Sequence, residues 1–447
     1  MTTNELWGGE TAKAVENFPV SGERVPVAVV HWLGRIKATA ARVNSELGKL
    51  DADVAEAIAE AGDEVAHGKH DDQFPIDVFQ TGSGTSSNMN ANEVMANLAG
   101  DAAHPNDHVN MGQSSNDVFP SAVHLAALAE CEDKLLPALD GLATSLQAKA
   151  DEFQDVVKAG RTHLMDAVPV TLGQEFAGYA AQVRLGHARV SDTLPRVAQI
   201  PLGGTATGTG LNTHPEFARR VREKITEATG IRADAPADPF EAQGNRDALV
   251  ELSGALKVVA VSLTKVAQDI ALMGSGPRAG LAELVLPELQ KGSSIMPGKV
   301  NPVIPEVVLQ VAGQVIGNDT AITIGGMQGQ FELNVRIPLI ARNLLQSIHI
   351  LTSASTMFAE KCVDGLEANH EGTTGHAEAT LATATALNPH IGYDAAAAIV
   401  TEAVKSGRPL RDVAREQGVS EETLDEALDL ARMARPHEPK AEGGQSA

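Results

Sequence analysis

Gly292-Ser293-Ser294-Ile295-Met296-Pro297-Gly298-Lys299-Val300-Asn301-Pro302 gathers hydroxyl, ammonium and carboxamide groups in a stretch that glycine and proline keep out of regular structure. Lys299 offers a point charge for a carboxylate, Asn301 a donor beside an acceptor, and Ser293 and Ser294 hydroxyls able to take up a proton. Flanked by long apolar segments, such a loop suits a lid that closes over a small anion and excludes water. A plain glycine-rich connector would have no use for so many ligand-competent side chains.

Three other stretches have the same character. Thr81-Gly82-Ser83-Gly84-Thr85-Ser86-Ser87-Asn88-Met89-Asn90-Ala91-Asn92-Glu93 brings amides, hydroxyls and carboxamides to a helix start, where anions are favoured. Read alone, it is equally a polar turn with an N-cap. His104-Pro105-Asn106-Asp107 is followed by Gln113-Ser114-Ser115-Asn116-Asp117. One residue of the second group caps the next helix, and the others remain for binding. Gly160-Arg161-Thr162-His163-Leu164-Met165-Asp166 places an imidazole, the natural group for proton traffic near neutral pH, just before a predicted helix carrying Thr171, Gln174 and Glu175. A lone Thr–His pair or a lone turn histidine is more often structural than catalytic. The chemistry therefore rests on the four stretches together.

Long helices are the elements that must position them. From Asp247 to Met273, apolar residues fall at Leu249, Leu252, Leu256, Val259, Leu263, Val266 and Ile270, in steps of three and four. Gly274, Gly276 and Pro277 then end the pattern. At 1.5 Å per residue such a helix runs about 40 Å. Leu128, Leu135, Leu139, Leu142 and Leu146 line a second stretch starting near Pro120. Leu172, Phe176, Tyr179 and Val183 line a third, and Pro305 to about Ile324 forms a fourth. Hairpin signals are almost absent. The expectation is an all-α core of long antiparallel helices, with residues 1–113 as an N-terminal mostly helical domain, 114–364 as the long-helix bundle and 365–447 as a small C-terminal helical domain. The polar tail from Pro436 is expected to be disordered. Apolar residues on more than one helix face call for burial between subunits, so an oligomer is expected.

The 447 residues are 43% hydrophobic and only 3% aromatic, which favours close-packed helices over β-sandwiches. A formal net charge of −23 argues against nucleic acid and anionic membrane as partners. It also requires an anion-binding site to supply its own local positive potential. Cys131 and Cys362 form neither a disulfide framework nor a metal-type spacing. The opening residues lack the basic and apolar regions of a signal peptide, and no apolar run approaches the roughly 20 residues of a membrane span, so a cytoplasmic location is expected.

In order and in wording, the four stretches resemble the fumarase/aspartase superfamily. Gly-Ser-Ser-Ile-Met-Pro-Gly-Lys-Val-Asn-Pro is similar to its signature, and the other three resemble the class II fumarase family specifically. His163 and Gly82-Ser83-Gly84 follow the fumarase pattern, whereas aspartases typically carry Gln after the Thr and Gly-Ala-Gly. Val303-Ile304-Pro305-Glu306 is closer to what aspartases show. The resemblance implies a three-domain subunit, a homotetramer with a core of 20 helices, and active sites shared by three subunits. It implies reversible hydration of fumarate to L-malate in the tricarboxylic acid cycle, with no cofactor and no metal. Ser293 would be the C3 base. Lys299 and Asn301 would bind and polarise the carboxylate, and His163 would act on the water side with Glu306 orienting it. Ser83, Gly84, Thr85, Ser114, Ser115, Asn116, Thr162, Ser294 and Val300 would position the substrate. His104, Pro105, Asn106 and Asp107 match a second dicarboxylate site. An ammonia lyase of the same fold, an inert structural relative, and a DNA- or membrane-binding helical protein are the competing readings.

Overall fold

The computed structural model describes residues 5–437, so the tail expected to be disordered lies, after His437, outside the described residues. Helices α1 (Gly9–Asn17), α2 (Val27–Glu46), α3 (Ala52–Ala66), α4 (Thr85–Ala99) and α5 (Ser115–Glu130) come first. A π-helical turn at Cys131–Leu135 leads into α6 (Leu136–Glu152). There follow α7 (Leu172–Val197), α8 (Phe217–Thr229), α9 (Pro239–Gly244), α10 (Asp247–Met273), α11 (Val303–Gly326), α12 (Ile337–Lys361) and α13 (His370–Ala379). Shorter helices, among them Tyr393–Ser406, complete the described chain.

This is the helical architecture expected, and α10 has the span its leucine pattern dictates. Every residue of its apolar seam, from Leu249 to Ile270, is at most 2% exposed. The main departure is an antiparallel hairpin. Strands β1 (Val157–Thr162) and β2 (Met165–Thr171) pair with Thr162 opposite Met165. Thr171 therefore lies on a strand rather than on the helix predicted for it, and α7 begins one residue later. The local reason is a reciprocal cap: the Gln174 amide donates to Thr171 Oγ1 at 3.1 Å, and the Thr171 amide to Gln174 Oε1 at 3.0 Å. The remaining sheets are two-residue pairs, β3 (Leu284–Val285) with β6 (Glu367–Ala368), and β4 (Gly329–Gln330) with β5 (Leu333–Asn334).

The chain divides into two compact units. The first comprises residues 1–139, 186–261 and 310–353. There α2 packs on α3, α5 and α8, burying Leu33, Ile36, Ile58, Met95, Phe119 and Phe217 completely. The α1 start is fixed by Glu93 of α4, whose carboxylate accepts the amides of Gly8, Glu10 and Thr11. Asp319 of α11 accepts from Ser253 Oγ at 2.8 Å and Lys257 Nζ at 2.6 Å on α10. The second unit comprises residues 140–185, 262–309 and 354–447. It holds the β1–β2 hairpin, an edge-to-face row of Phe153, Phe176 and Tyr179, and an apolar cluster around Leu387, Ile399, Val413 and Leu424.

One buried group in the first unit makes stability depend on pH. His124 of α5 is buried and its Nδ1–H donates to the Val197 carbonyl at 2.8 Å. Burial, and then the nearby Arg246 charge, push its pKa down to about 4. A depressed histidine contributes stability that is full above its unfolded pKa of about 6.5 and is lost as pH falls through about 4. That loss is on the order of 3 kcal/mol. His124→Asn keeps a donor for Val197 and has no such titration. Its urea-denaturation midpoint should fall less steeply than that of the wild type between pH 7 and pH 4, and parallel curves would refute the assignment.

Candidate active site

In the first unit, a chain of hydroxyls joins two of the polar stretches. Ser83 is buried, its Oγ lies 2.7 Å from Thr85 Oγ1, and Thr85 Oγ1 lies 2.9 Å from Ser115 Oγ. Glycine is required beside it. A Cβ on Gly82 would stand 1.8 Å from the Val335 carbonyl oxygen. Gly84, which precedes α4, has a φ of 76° and faces the Phe119 ring, 2.2 Å from where a Cβ would lie.

Ser114 and Asp117 form a capping box at the start of α5, which presents Ser115 and Asn116. Asp117 does more than cap. Its carboxylate is fully buried and accepts the amides of Ser114 at 2.8 Å and of Gly203 and Thr205 at 2.9 Å. Burial raises its pKa to about 6, against the pull of those amides and of Lys37. Lys37, on α2, is equally buried and donates to Gln113 Oε1 at 3.1 Å and Asn110 Oδ1 at 3.3 Å. Its pKa is pushed down to about 7 by burial, with the Asp117 charge opposing. Asn116 Nδ2 donates to the Ala206 carbonyl at 2.9 Å, so this amide anchors the Gly203–Gly210 loop. His104, Pro105, Asn106 and Asp107 lie together at a π-helical turn, with His104 Nδ1 3.2 Å from an Asp107 carboxylate oxygen.

In the second unit, the hairpin exposes Thr162 at the end of β1, and His163 and Leu164 make the turn with φ of 56° and 62°. Behind them, Arg161 grips Glu283 through both nitrogens, at 2.8 and 3.1 Å. Lys158 is 2.9 Å from Glu175 and 3.3 Å from Glu283, and His376 of α13 reaches Glu283 at 3.1 Å. Burial alone would raise the Glu283 carboxyl; the Arg161 hydrogen bonds and the neighbouring cations outweigh it and hold the group below the usual range. Burial raises Glu175 instead, despite Lys158. Lys158, Arg161, His163, Glu175, Tyr179 and Asp269 are among the residues around a cavity of about 410 Å³.

The signature stretch is an exposed loop in the same unit. It is closed by the Gly292 amide donating to the Lys299 carbonyl at 3.0 Å and by Asn301 Nδ2 donating to the Gly292 carbonyl at 2.9 Å. Ser293 Oγ accepts the amides of Ile295 and Met296, each at 3.2 Å. Ser294, Lys299 and Val300 face solvent, and Glu306 stands in the first turn of α11.

The fold thus brings Ser83, Thr85 and Ser115 together, and gathers Ser293, Lys299 and Asn301 into one closed loop. The sequence reading missed Lys37, Glu283 and the Gly203–Gly210 loop behind them, and gave Asp117 and Arg161, though both stand in the quoted stretches, no positioning role. The repeated glycines and threonines of that loop were a visible signal, since they have the composition of the Thr81–Asn88 stretch. Arg161 was visible beside Thr162. Glu283 carried no signal, because its partner lies 122 residues away in sequence.

A family model described as "Lyase" matches residues 1–317 of this helical chain. A second model, described as "Fumarase C C-terminus", matches residues 384–435. The class II fumarate hydratase of Corynebacterium efficiens is 54% identical over 439 residues, spanning 96% of this chain and 93% of its own. The Mycobacterium tuberculosis enzyme of the same name is also 54% identical, with the same coverage. The crystal structure of class II fumarase from Schistosoma mansoni superposes with a TM-score of 0.95 at 39% identity, covering 98% of this chain and 97% of that one. The chain belongs to the class II fumarate hydratase family and is a hydro-lyase.

Proposed function

We propose that the protein catalyses the reversible hydration of fumarate to L-malate, as a step of the tricarboxylic acid cycle in the cytoplasm, by general acid–base chemistry through a carbanion and without metal or cofactor. The observation that carries the mechanism is the pair of amides on Ser293 Oγ. A serine hydroxyl is a poor base unless its oxygen is stabilised as an anion, and N–H donors aimed at that oxygen do this. Ser293 removes the C3 proton of malate. The charge that develops on the adjacent carboxylate is met by Lys299 and Asn301. His163 handles the hydroxyl that leaves as water, with Glu306 as its orienting partner. Ser83, Gly84, Thr85, Ser114, Ser115, Asn116, Thr162, Ser294 and Val300 hold the two carboxylates, and the His104–Asp107 turn is a second dicarboxylate site. Relatives named fumarate hydratase at 54% identity support the substrate, and residues 1–113, 114–364 and 365–447 are read as the three domains.

The assembly is read as a homotetramer whose active sites each draw loops from three subunits. Apolar side chains on the long helices support this. Val258, Val261 and Leu272 of α10 and Val307, Ile316 and Ile324 of α11 are between 37% and 55% exposed in the single chain. Light scattering on the purified protein should give the mass of four chains, and a fully active monomer would refute the shared sites.

Absorbance of the fumarate double bond, with malate and then aspartate as sole substrate, tests the reaction. Product from aspartate but not malate would replace the proposal with an ammonia lyase. His163→Asn should lower kcat by roughly 10²-fold; wild-type turnover would remove the imidazole from the mechanism. Lys299→Ala should raise KM for fumarate as well as lower kcat, and an unchanged KM would contradict a carboxylate contact.

A further inference from the structure

The turn that presents His163 is held in place by something other than its own residues. The two-residue turn has positive φ at both central positions, His163 and Leu164, a conformation that Asn and Gly take easily and that His and Leu resist. Both side chains are exposed, Leu164 at 74%, so neither packs the turn into place. The pairing that carries the turn, Arg161 with Asp166 and Thr162 with Met165, is separated from the rest of the hairpin by a register shift between Ala159 and Arg161. The side chain anchoring the strand beside the turn is that of Arg161, which meets Glu283 in a two-pronged contact.

Glu283 is well placed to be the fixed end. Its side chain has no exposed surface. Its backbone amide donates to the Met273 carbonyl at 2.9 Å, and its carbonyl accepts the Asn369 amide at 3.0 Å, so it cannot swing with the hairpin. The same carboxylate takes Lys158 of β1 and His376 of α13. We propose that Glu283 is a positioning residue for the reaction: by clamping Arg161 and Lys158 it fixes β1, and so the strained turn that aims the His163 imidazole. The proposal rests on the reading of His163 as the proton-transfer group.

The clamp is also electrostatic. Around it, β1 contributes Lys158 and Arg161, α7 contributes Glu175 and Tyr179, α10 contributes Lys265 and Asp269, and α13 contributes His376. Neutralising Glu283 leaves the Lys158 and Arg161 cations without their buried counter-charge, which loosens their hold on β1.

Steady-state kinetics on the intact oligomer test this. Glu283→Gln should lower kcat for fumarate about tenfold or more while KM stays within about twofold, because misplacement of a proton-transfer group weakens the chemical step. Arg161→Lys keeps the charge but not the fork, and should reproduce the kcat loss. Glu283→Asp should recover part of it. Combined with His163→Asn, Glu283→Gln should add no further loss. Wild-type kcat in a folded Glu283→Gln enzyme would overturn the proposal. Should that variant fail to fold, wild-type kcat in Arg161→Lys would overturn it instead. If His163→Asn itself turned over like wild type, the reading of His163 would fall and the proposal with it. If His163→Asn is crippled while Glu283→Gln and Arg161→Lys are not, only the clamp falls.

Discussion

A carboxylate taken out of water has to be given donors, and in this chain that requirement fixes where the polar stretches stand. Asp117 is buried against three backbone amides with Lys37 nearby, and Glu283 is buried against Arg161, Lys158 and His376. Each lies directly behind a stretch with ligand-competent side chains. Asp117 holds the Ser114–Asn116 start of α5 against the Gly203–Gly210 loop, and Glu283 holds the strand that carries His163. Removing one partner from such an arrangement leaves an unpaired buried charge, at a cost of roughly 3–5 kcal/mol. Exposed pairs such as Lys13 with Glu10 are screened by solvent and contribute far less. The buried pairs thus restrict geometry in a way the surface pairs do not, and they do so from the rear, leaving the front of each stretch to a ligand.

The helices supply stiffness, and they were the legible part. A seam of Leu and Val at steps of three and four can be buried only as a helix, so α10 could be drawn residue by residue from the chain. The Ser114–Asp117 cap was equally readable, since the capping box is a local rule. So were the four polar stretches, as groups of ligand-competent residues. The sequence assigns the glycines of Thr81–Asn88 to presenting amides to an anion; packing demands them as well, because Gly82 meets a backbone carbonyl and Gly84 meets the face of Phe119.

What the chain concealed has a common physical origin. The β1–β2 hairpin has His163 and Leu164 at its turn, where sequence rules look for Asn-Gly, and so it was read as the approach to a helix. Local propensity there is overridden by contacts from far along the chain. Arg161 and Glu283 are 122 residues apart, and Lys37 and Gln113 are 76 apart. Such pairs leave no periodicity and no composition bias. They become visible only when burial is known, because a fully buried lysine or glutamate is what needs explaining.

The Gly292–Pro302 loop obeys the opposite logic. Its hydrogen bonds run within itself, and Ile295 is 82% exposed. A segment with few buried contacts opens at little free-energy cost, which suits the lid of the proposed reaction. Its internal closure nonetheless keeps the amides of Ile295 and Met296 on Ser293 Oγ, so under the proposed mechanism the donors need little rearrangement when charge develops. A chain with a net charge of −23 repels a dianion at long range, so the proposed substrate needs donors supplied locally. In the proposed reaction Lys299, the one lysine of Gly292–Pro302, and the amides around it meet that need.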